Sequence, residues 1–269
     1  MIDYHLHTVR CRHAQGRMEE YCEEARRKGL EEIGFADHFP LDLLGFIPPI
    51  KVTMEGKELP EYIEDVYRLQ IKKGNPGVKL GIEVDFLPGS EQIMRRELAP
   101  YLFDYVIGSV HFLGNWDFTN PEAAHEYDKL NDEEILGLYE EYYEVIEKMV
   151  KSNLFDIAGH IDVIKKFGYR PFKDIHYLLN RVSSLLSEAD LCIEVNTAGF
   201  YAPVQEFYPG VDMLKLCYNK KIPVTLGSDA HRPADVGRDF KKAASLLKEI
   251  GYREIAVFKE RKRSCLKLA

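Results

Sequence analysis

Short apolar, β-branched runs recur along this chain between longer segments of helical period, a pattern that belongs to a parallel sheet with crossover helices. The strand candidates are Ile2 to Leu6, Glu32 to Ala36, Lys79 to Val84, Tyr105 to Ser109, Phe155 to Ala158, Leu191 to Val195, Pro223 to Gly227 and Glu254 to Phe258. Between them lie helix candidates at Met18 to Gly29, Leu59 to Lys73, Ser90 to Ala99, Asp132 to Lys151, Ile175 to Ala189, Val211 to Asn219 and Phe240 to Ile250. Asn131 ahead of Asp132-Glu133-Glu134 reads as an N-cap followed by acidic first-turn residues. Gly29 and Gly251 fall where C-terminal caps belong. Seven or eight such units, with no Gly/Ser linker to divide them, favour one closed or nearly closed barrel over residues 1–269. An open doubly wound sheet is the alternative.

Length and charge restrict the function further. In 269 residues with 36 basic and 44 acidic side chains, the formal net charge is −8, so no global pull toward nucleic acid or an anionic membrane exists. No apolar run approaches the roughly 18 residues of a membrane span, and the N-terminus lacks the basic and apolar regions of a secretory signal. A cytoplasmic protein without nucleic-acid or membrane partners is therefore expected. Its cysteines, Cys11, Cys22, Cys192, Cys217 and Cys265, are odd in number and form no C-x-x-C pair, which reads as reduced thiols. No glycine-rich nucleotide-binding motif follows the first strand. The long segment Phe39 to Glu58, with Pro40, Pro48 and Pro49, is expected as a loop over one end of the barrel.

The nine histidines are not scattered. His5 and His7 close the first apolar run, and His38, His111, His160 and His231 each follow another, while Glu83 ends a run in the same way. In a parallel barrel all strand C-termini share one face, so these residues converge there. An i, i+2 spacing on a strand places His5 and His7 on the same side, roughly 7 Å apart at Cα, and Asp229 and His231 repeat it. A lone histidine at a strand end is ordinarily a hydrogen-bonded structural residue. Six at one face, with Glu83 and Asp229, predict a multinuclear metal site. Mixed imidazole and carboxylate donors suit zinc, iron or manganese. His13 is the weaker candidate on position alone, and His125 and His176, without partners at ligand spacing, read as structural. A hydroxide bridging two such ions would be a nucleophile near neutral pH, with the metals offsetting phosphoryl charge.

Six motifs, His5-Leu6-His7, Ala36-Asp37-His38, Gly81-Ile82-Glu83, Gly108-Ser109-Val110-His111, Gly159-His160 and Gly227-Ser228-Asp229-Ala230-His231, together resemble the polymerase and histidinol phosphatase (PHP) superfamily. Within it, Gly108 to Leu113, Asn196 to Gly199 and Gly227 to Pro233 resemble segments of the histidinol-phosphate phosphatase family. The resemblance implies a distorted (β/α)7 barrel and a centre of three divalent ions, with histidinol phosphate hydrolysed to histidinol and phosphate in histidine biosynthesis. Carried over, His5, His7, Glu83 and Asp229 would hold the first ion, with Glu83 bridging to a second on His111 and His160. His13, His38 and His231 would hold the third. Asp37 is either a partner orienting an imidazole or a loop cap.

Substrate contacts are harder to read from sequence. Lys165, Lys166 and Arg170 follow the fifth strand and offer a phosphate clamp, while Glu194, Asn196 and Tyr201 end or follow the sixth. At Phe200-Tyr201 the chain departs from the basic residue its relatives are expected to carry, which makes Arg170 the preferred substitute. Asp229 and His231 are the candidates to assist the leaving oxygen. A PHP-type phosphoesterase acting on nucleotides or nucleic-acid ends is the alternative function. The basic run Lys259 to Lys267, expected as an exposed tail, is the one feature in its favour.

Overall fold

Seven of the eight strand candidates pair side by side in parallel, and the eighth does not. The computed structural model describes residues 1–74 and 76–268, so positions 75 and 269 of the expected 1–269 unit lie outside the described residues. In chain order the strands are β1 (Ile2–Leu6), β2 (Glu32–Phe35), β3 (Gly77–Asp85), β4 (Tyr105–Ser109), β5 (Phe112–Leu113), β6 (Trp116–Asp117), β7 (Ile157–Ala158), β8 (Cys192–Asn196), β9 (Val224–Gly227), β10 (Glu254–Lys259) and β11 (Lys262–Lys267). The helices are α1 (Met18–Arg27), α2 (Leu59–Ile71), α3 (Glu91–Leu98), α4 (Asp132–Lys151), α5 (His176–Glu188), α6 (Val211–Asn219) and α7 (Phe240–Ile250).

The main sheet runs β1-β2-β3-β4-β7-β8-β9. Its ends meet where Leu6 bridges Ala230 in parallel sense, with His7 N–H donating to Ala230 O at 3.0 Å and Ala230 N–H to His5 O at 3.1 Å. The result is a nearly closed (β/α)7 barrel, not an open sheet. Its strands are buried along most of their length, as parallel strands covered by helices must be. The closure matters for function, because it places both ends of the chain's motif series, β1 and β9, edge to edge.

The eighth candidate, β10, pairs antiparallel with β11 in a hairpin outside the barrel sheet. This corrects two expectations at once. The hairpin packs back onto the barrel: Phe258 lies 6.4 Å from the Tyr4 ring and 6.2 Å from the Tyr105 ring, and Thr225 Oγ1 donates to Ala256 O at 3.0 Å. The basic run Lys259 to Lys267 is thus a docked strand, not a free tail. Two of its cations are engaged, Arg261 with Asp156 at 2.8 Å and Arg263 with Asp190 at 2.7 Å. Tyr105 also fixes the sequence elsewhere, since a Cβ at Gly34 would lie 1.9 Å from its hydroxyl.

Local signals read from the sequence have physical counterparts. Asn131 Oδ1 accepts from Glu133 N and Glu134 N at 3.0 and 3.1 Å, and the Glu134 carboxylate returns to Asn131 N at 2.8 Å, closing a capping box on α4. All five cysteines are free thiols, and only Cys265 is exposed. The Phe39 to Glu58 segment is a loop with short 3-10 turns at Leu41–Leu44 and Gly56–Glu58. Among the described residues no helix is long and apolar enough to cross a membrane.

Candidate metal centre

Glu83, at the C-terminal half of β3, is the point on which the imidazoles converge. Its two carboxylate oxygens face different sets of nitrogens. Oε1 lies 3.0 Å from His160 Nε2 and 3.8 Å from His111 Nε2, and accepts from Ser109 Oγ at 2.6 Å. Oε2 lies 2.9 Å from His38 Nδ1, 3.4 Å from His5 Nε2 and 3.7 Å from His7 Nε2. Asp229 adds a second carboxylate, with Oδ1 at 3.1 Å from His7 Nε2 and 3.5 Å from His231 Nδ1. Its backbone sits in the left-handed region at φ 53°, unusual for a residue other than glycine and typical of constrained functional positions.

Hydrogen bonding on the far side of each ring sets what faces inward. His5 Nδ1 meets Glu194 Oε1 at 2.6 Å, His111 Nδ1 meets Asp85 Oδ1 at 2.7 Å, and His7 Nδ1 meets Asp37 Oδ1 at 3.4 Å. His13 Nδ1 meets the Cys11 carbonyl at 2.7 Å, and His231 Nδ1 meets the Asp229 carbonyl at 3.0 Å. A carbonyl or carboxylate oxygen only accepts, so each Nδ1 must carry the proton and each neutral ring presents a lone pair at Nε2. The consequence is visible where His13 and His231 bring their Nε2 atoms to 2.9 Å. Lone pairs do not attract lone pairs. In addition His5 Nε2, His7 Nε2, His38 Nδ1 and Glu83 Oε2 are buried without hydrogen-bond partners. A cation placed among these atoms would satisfy them together, and imidazole backed by carboxylate is the arrangement that metal-binding histidines use.

Ionisation reflects the same crowding. Burial opposes charge on His5, but Glu194, Glu83 and Asp229 outweigh it and hold the imidazole well above its ordinary pKa. Burial likewise opposes charge on His7 and His111, yet Asp229 and Asp37 push the first up to about 9, and Asp85 and Glu83 push the second up to about 9. Against their own burial, Glu83 and Asp229 are driven well below the carboxylate range by the surrounding histidines. Burial, His38 and His7 push His13 down to about 4, and burial with His7 moves His231 well below its ordinary value.

The structure therefore brings together His5, His7, His13, His38, His111, His160, His231, Glu83 and Asp229. Among the described residues, His5–His7–Asp229, His5–Glu83–His160 and His7–His38–His231 each place their donor atoms within 4.8 Å of one another. His38 lies between expected groups, against Glu83 Oε2 and 5.6 Å ring to ring from His13. His125 is an exposed residue bonded to Glu122 O, and His176 opens α5.

The substrate candidates divide differently. Lys166 is partly buried with Nζ donating to Thr119 O at 2.7 Å. Burial lowers its pKa, and Asp229 and Asp117 oppose that shift, so its ammonium shares the field of the mouth. Lys165 is instead buried against Asp162, Glu206 and the Phe207 carbonyl. Arg170 pairs with that same Glu206 at 2.8 Å and lines a separate cavity of about 600 Å³ whose walls include none of the clustered imidazoles. Its guanidinium is thus engaged by Glu206 rather than placed beside the imidazoles. Tyr201 is exposed, with its hydroxyl on Asp239 at 2.6 Å and its ring 4.3 Å from the Arg238 guanidinium. Glu194 has both carboxylate oxygens engaged beneath the imidazoles. Asn196 lies beside it with Nδ2 3.4 Å from Asp229 Oδ2. Asp85 was not singled out by sequence, although its i, i+2 relation to Glu83 on one strand was a usable signal. Asp37 proves to hold His7 and to accept from Thr8 N at 3.1 Å, and so acts as more than a loop cap.

Comparison with known proteins adds independent findings. The PHP domain family model matches residues 3–198. A Deinococcus radiodurans protein described as "Probable histidinol-phosphatase" is 39% identical over 97% of this chain and 98% of its own length. The "Histidinol-phosphatase" of Bacillus subtilis is 30% identical, covering 87% of this chain and 95% of that protein. Among solved structures, the histidinol phosphate phosphatase of Lactococcus lactis, complexed with zinc, L-histidinol and phosphate, superposes with a TM-score of 0.82 at 25% identity over 98% of both chains.

Proposed function

The chain belongs to the PHP domain family, and from that premise we propose that it is a metal-dependent phosphomonoesterase that hydrolyses histidinol phosphate to histidinol and inorganic phosphate. The observation that carries the chemistry is the inward set of imidazole lone pairs and carboxylate oxygens around Glu83. The full-length relatives and the histidinol- and phosphate-bound neighbour support the substrate.

In this reading three divalent ions, zinc, iron or manganese, occupy the cluster. His5, His7, Glu83 and Asp229 hold one, and His111 and His160 hold another, with Glu83 shared between them. The division of its two oxygens between two sets of nitrogens supports that sharing. His13, His38 and His231 hold the third. Such ions would supply Lewis acidity that offsets phosphoryl charge and acidifies an attacking water.

The protein's own residues do the rest. Lys166 carries a partly desolvated ammonium whose one hydrogen bond among the described residues goes to Thr119 O, leaving donors for the phosphate. Asp229 Oδ2, approached by Asn196 at 3.4 Å, is a carboxylate oxygen at the mouth that would accept a hydrogen bond from the attacking water and orient it. His231, partly exposed beside Asp229, stands on the solvent side of the cluster. Replacing Glu83 by Gln or His111 by Ala tests the assignment, with loss of both bound metal and phosphate release expected. Full activity and full metal content in either variant would overturn it.

A further inference from the structure

Every barrel strand but one leads into a residue of the inward donor set. The exception is β8, which runs between β7 and β9. It presents Glu194 and Asn196, an i, i+2 pair on one face of the strand. Glu194 accepts three hydrogen bonds, from His5 Nδ1–H at 2.6 Å, from the backbone N–H of His160 at 2.9 Å, and from Asn196 Nδ2–H at 3.1 Å. Asn196 Nδ2 also reaches Asp229 Oδ2 at 3.4 Å. Two side chains of a strand without a donor of its own thus touch donors from β1, from the β7 loop and from the β9 loop. The backbone opposite is cut away for them. A Cβ at Gly227 would fall 1.9 Å from Glu194 Oε1 and 2.8 Å from His5 Cβ, so only glycine on β9 leaves room for the pair.

We propose that β8 is a bracing strand, in which Glu194 and Asn196 are positioning residues that fix His5, His160 and Asp229 in their metal-binding orientations. This rests on the metal-dependent reading above. Glu194 holds the His5 proton on Nδ1 and so keeps Nε2 free as a donor. Its second oxygen ties the His160 loop to the same carboxylate, so two donors from strands on opposite sides of β8 are set by one group. A neutral amide cannot repeat this. Gln at 194 has one oxygen for three incoming N–H groups, and its NH2 would face another donor.

The test uses the full chain loaded with cobalt(II) or zinc, read by competition with a chromophoric chelator and by the visible absorption of the cobalt form. Near-ultraviolet circular dichroism and thermal unfolding of the metal-free protein report the fold. Glu194→Gln is expected to weaken metal binding about 10- to 100-fold and to change the cobalt spectrum, with metal-free circular dichroism unaltered. Asn196→Ala shifts both readouts in the same direction by less, and it decides the matter if the first variant does not fold. A purely structural role would lower metal-free unfolding and leave affinity and spectrum unchanged. Folded variants with wild-type affinity and spectrum overturn the bracing role alone. A wild-type protein that takes up no divalent ion overturns the functional reading, and the brace with it.

Discussion

Removing the metal is expected to cost this protein much of its thermal stability, and the size of the loss follows from the orphaned atoms. His5 Nε2, His7 Nε2, His38 Nδ1 and Glu83 Oε2 are buried without hydrogen-bond partners. A buried polar atom left unsatisfied costs about 1–3 kcal/mol; His38 Nδ1 and Glu83 Oε2 face each other at 2.9 Å and count once, so the set represents about 3–9 kcal/mol that bound cations would restore. For a chain of this size about 1 kcal/mol moves Tm by about 2–4 °C. Chelation should therefore lower Tm by at least about 6 °C. The gap also depends on pH. His7 is held above its ordinary value, at about 9. Its protonation stabilises the metal-free fold fully below about pH 6.5, and that contribution is lost as pH rises through about 9. The difference between chelated and metal-loaded protein thus widens from pH 6.5 to pH 9. Scanning calorimetry of both forms, at several fixed concentrations of free zinc, checks this directly. Tm must also climb with the logarithm of free metal, as linkage requires. Chelated and reloaded samples that unfold within about 2 °C of each other across that pH range would refute the reasoning, since the unsatisfied atoms would then need no cation.

Other outcomes are expected from single side chains. Lys166→Met should lower kcat/KM about 10- to 100-fold, the worth of a charge-assisted hydrogen bond to phosphate, while metal content stays at the wild-type level. Arg170→Ala, which breaks an ion pair with Glu206 away from the imidazoles, should change kcat/KM far less, and steady-state kinetics of the two variants side by side separates them. Asn131→Ala removes the α4 cap and should cost about 1 kcal/mol of stability, seen as a lower Tm with kinetics unchanged.

The barrel and the donor set were legible in the sequence for the same reason. Strand C-termini in a parallel barrel share a face, so histidines following apolar runs had to meet, and β1, β4, α4, α6 and α7 have the bounds that periodicity and caps predict. What escaped was governed by tertiary contacts. The β10–β11 hairpin turns at Glu260 and Arg261, both left-handed at φ 49° and 62°, where a tight turn ordinarily carries Asn or Gly. Without that signal, Lys262–Lys267 reads as a charged tail. The turn is held from elsewhere, by Asp104 Oδ1 accepting from Glu260 N at 3.2 Å and Asp104 O accepting from Arg261 N at 2.9 Å. Glu194 and Arg170 are hard to place from sequence for a related reason. Sequence position puts both near the mouth, but which way a carboxylate or guanidinium points depends on partners distant in the chain, His5 for one and Glu206 for the other. Asp85 shares a strand face with Glu83, but the part it plays emerges only from its contact with His111.

The most direct test of the central claim is phosphate release by purified protein reconstituted with manganese, zinc or iron, measured as kcat/KM for histidinol phosphate, for mononucleotides and for a generic phosphomonoester. The account predicts that histidinol phosphate is the preferred substrate and that chelation abolishes its turnover. A preference for a nucleotide, nuclease activity, or undiminished phosphate release after complete metal removal would contradict it.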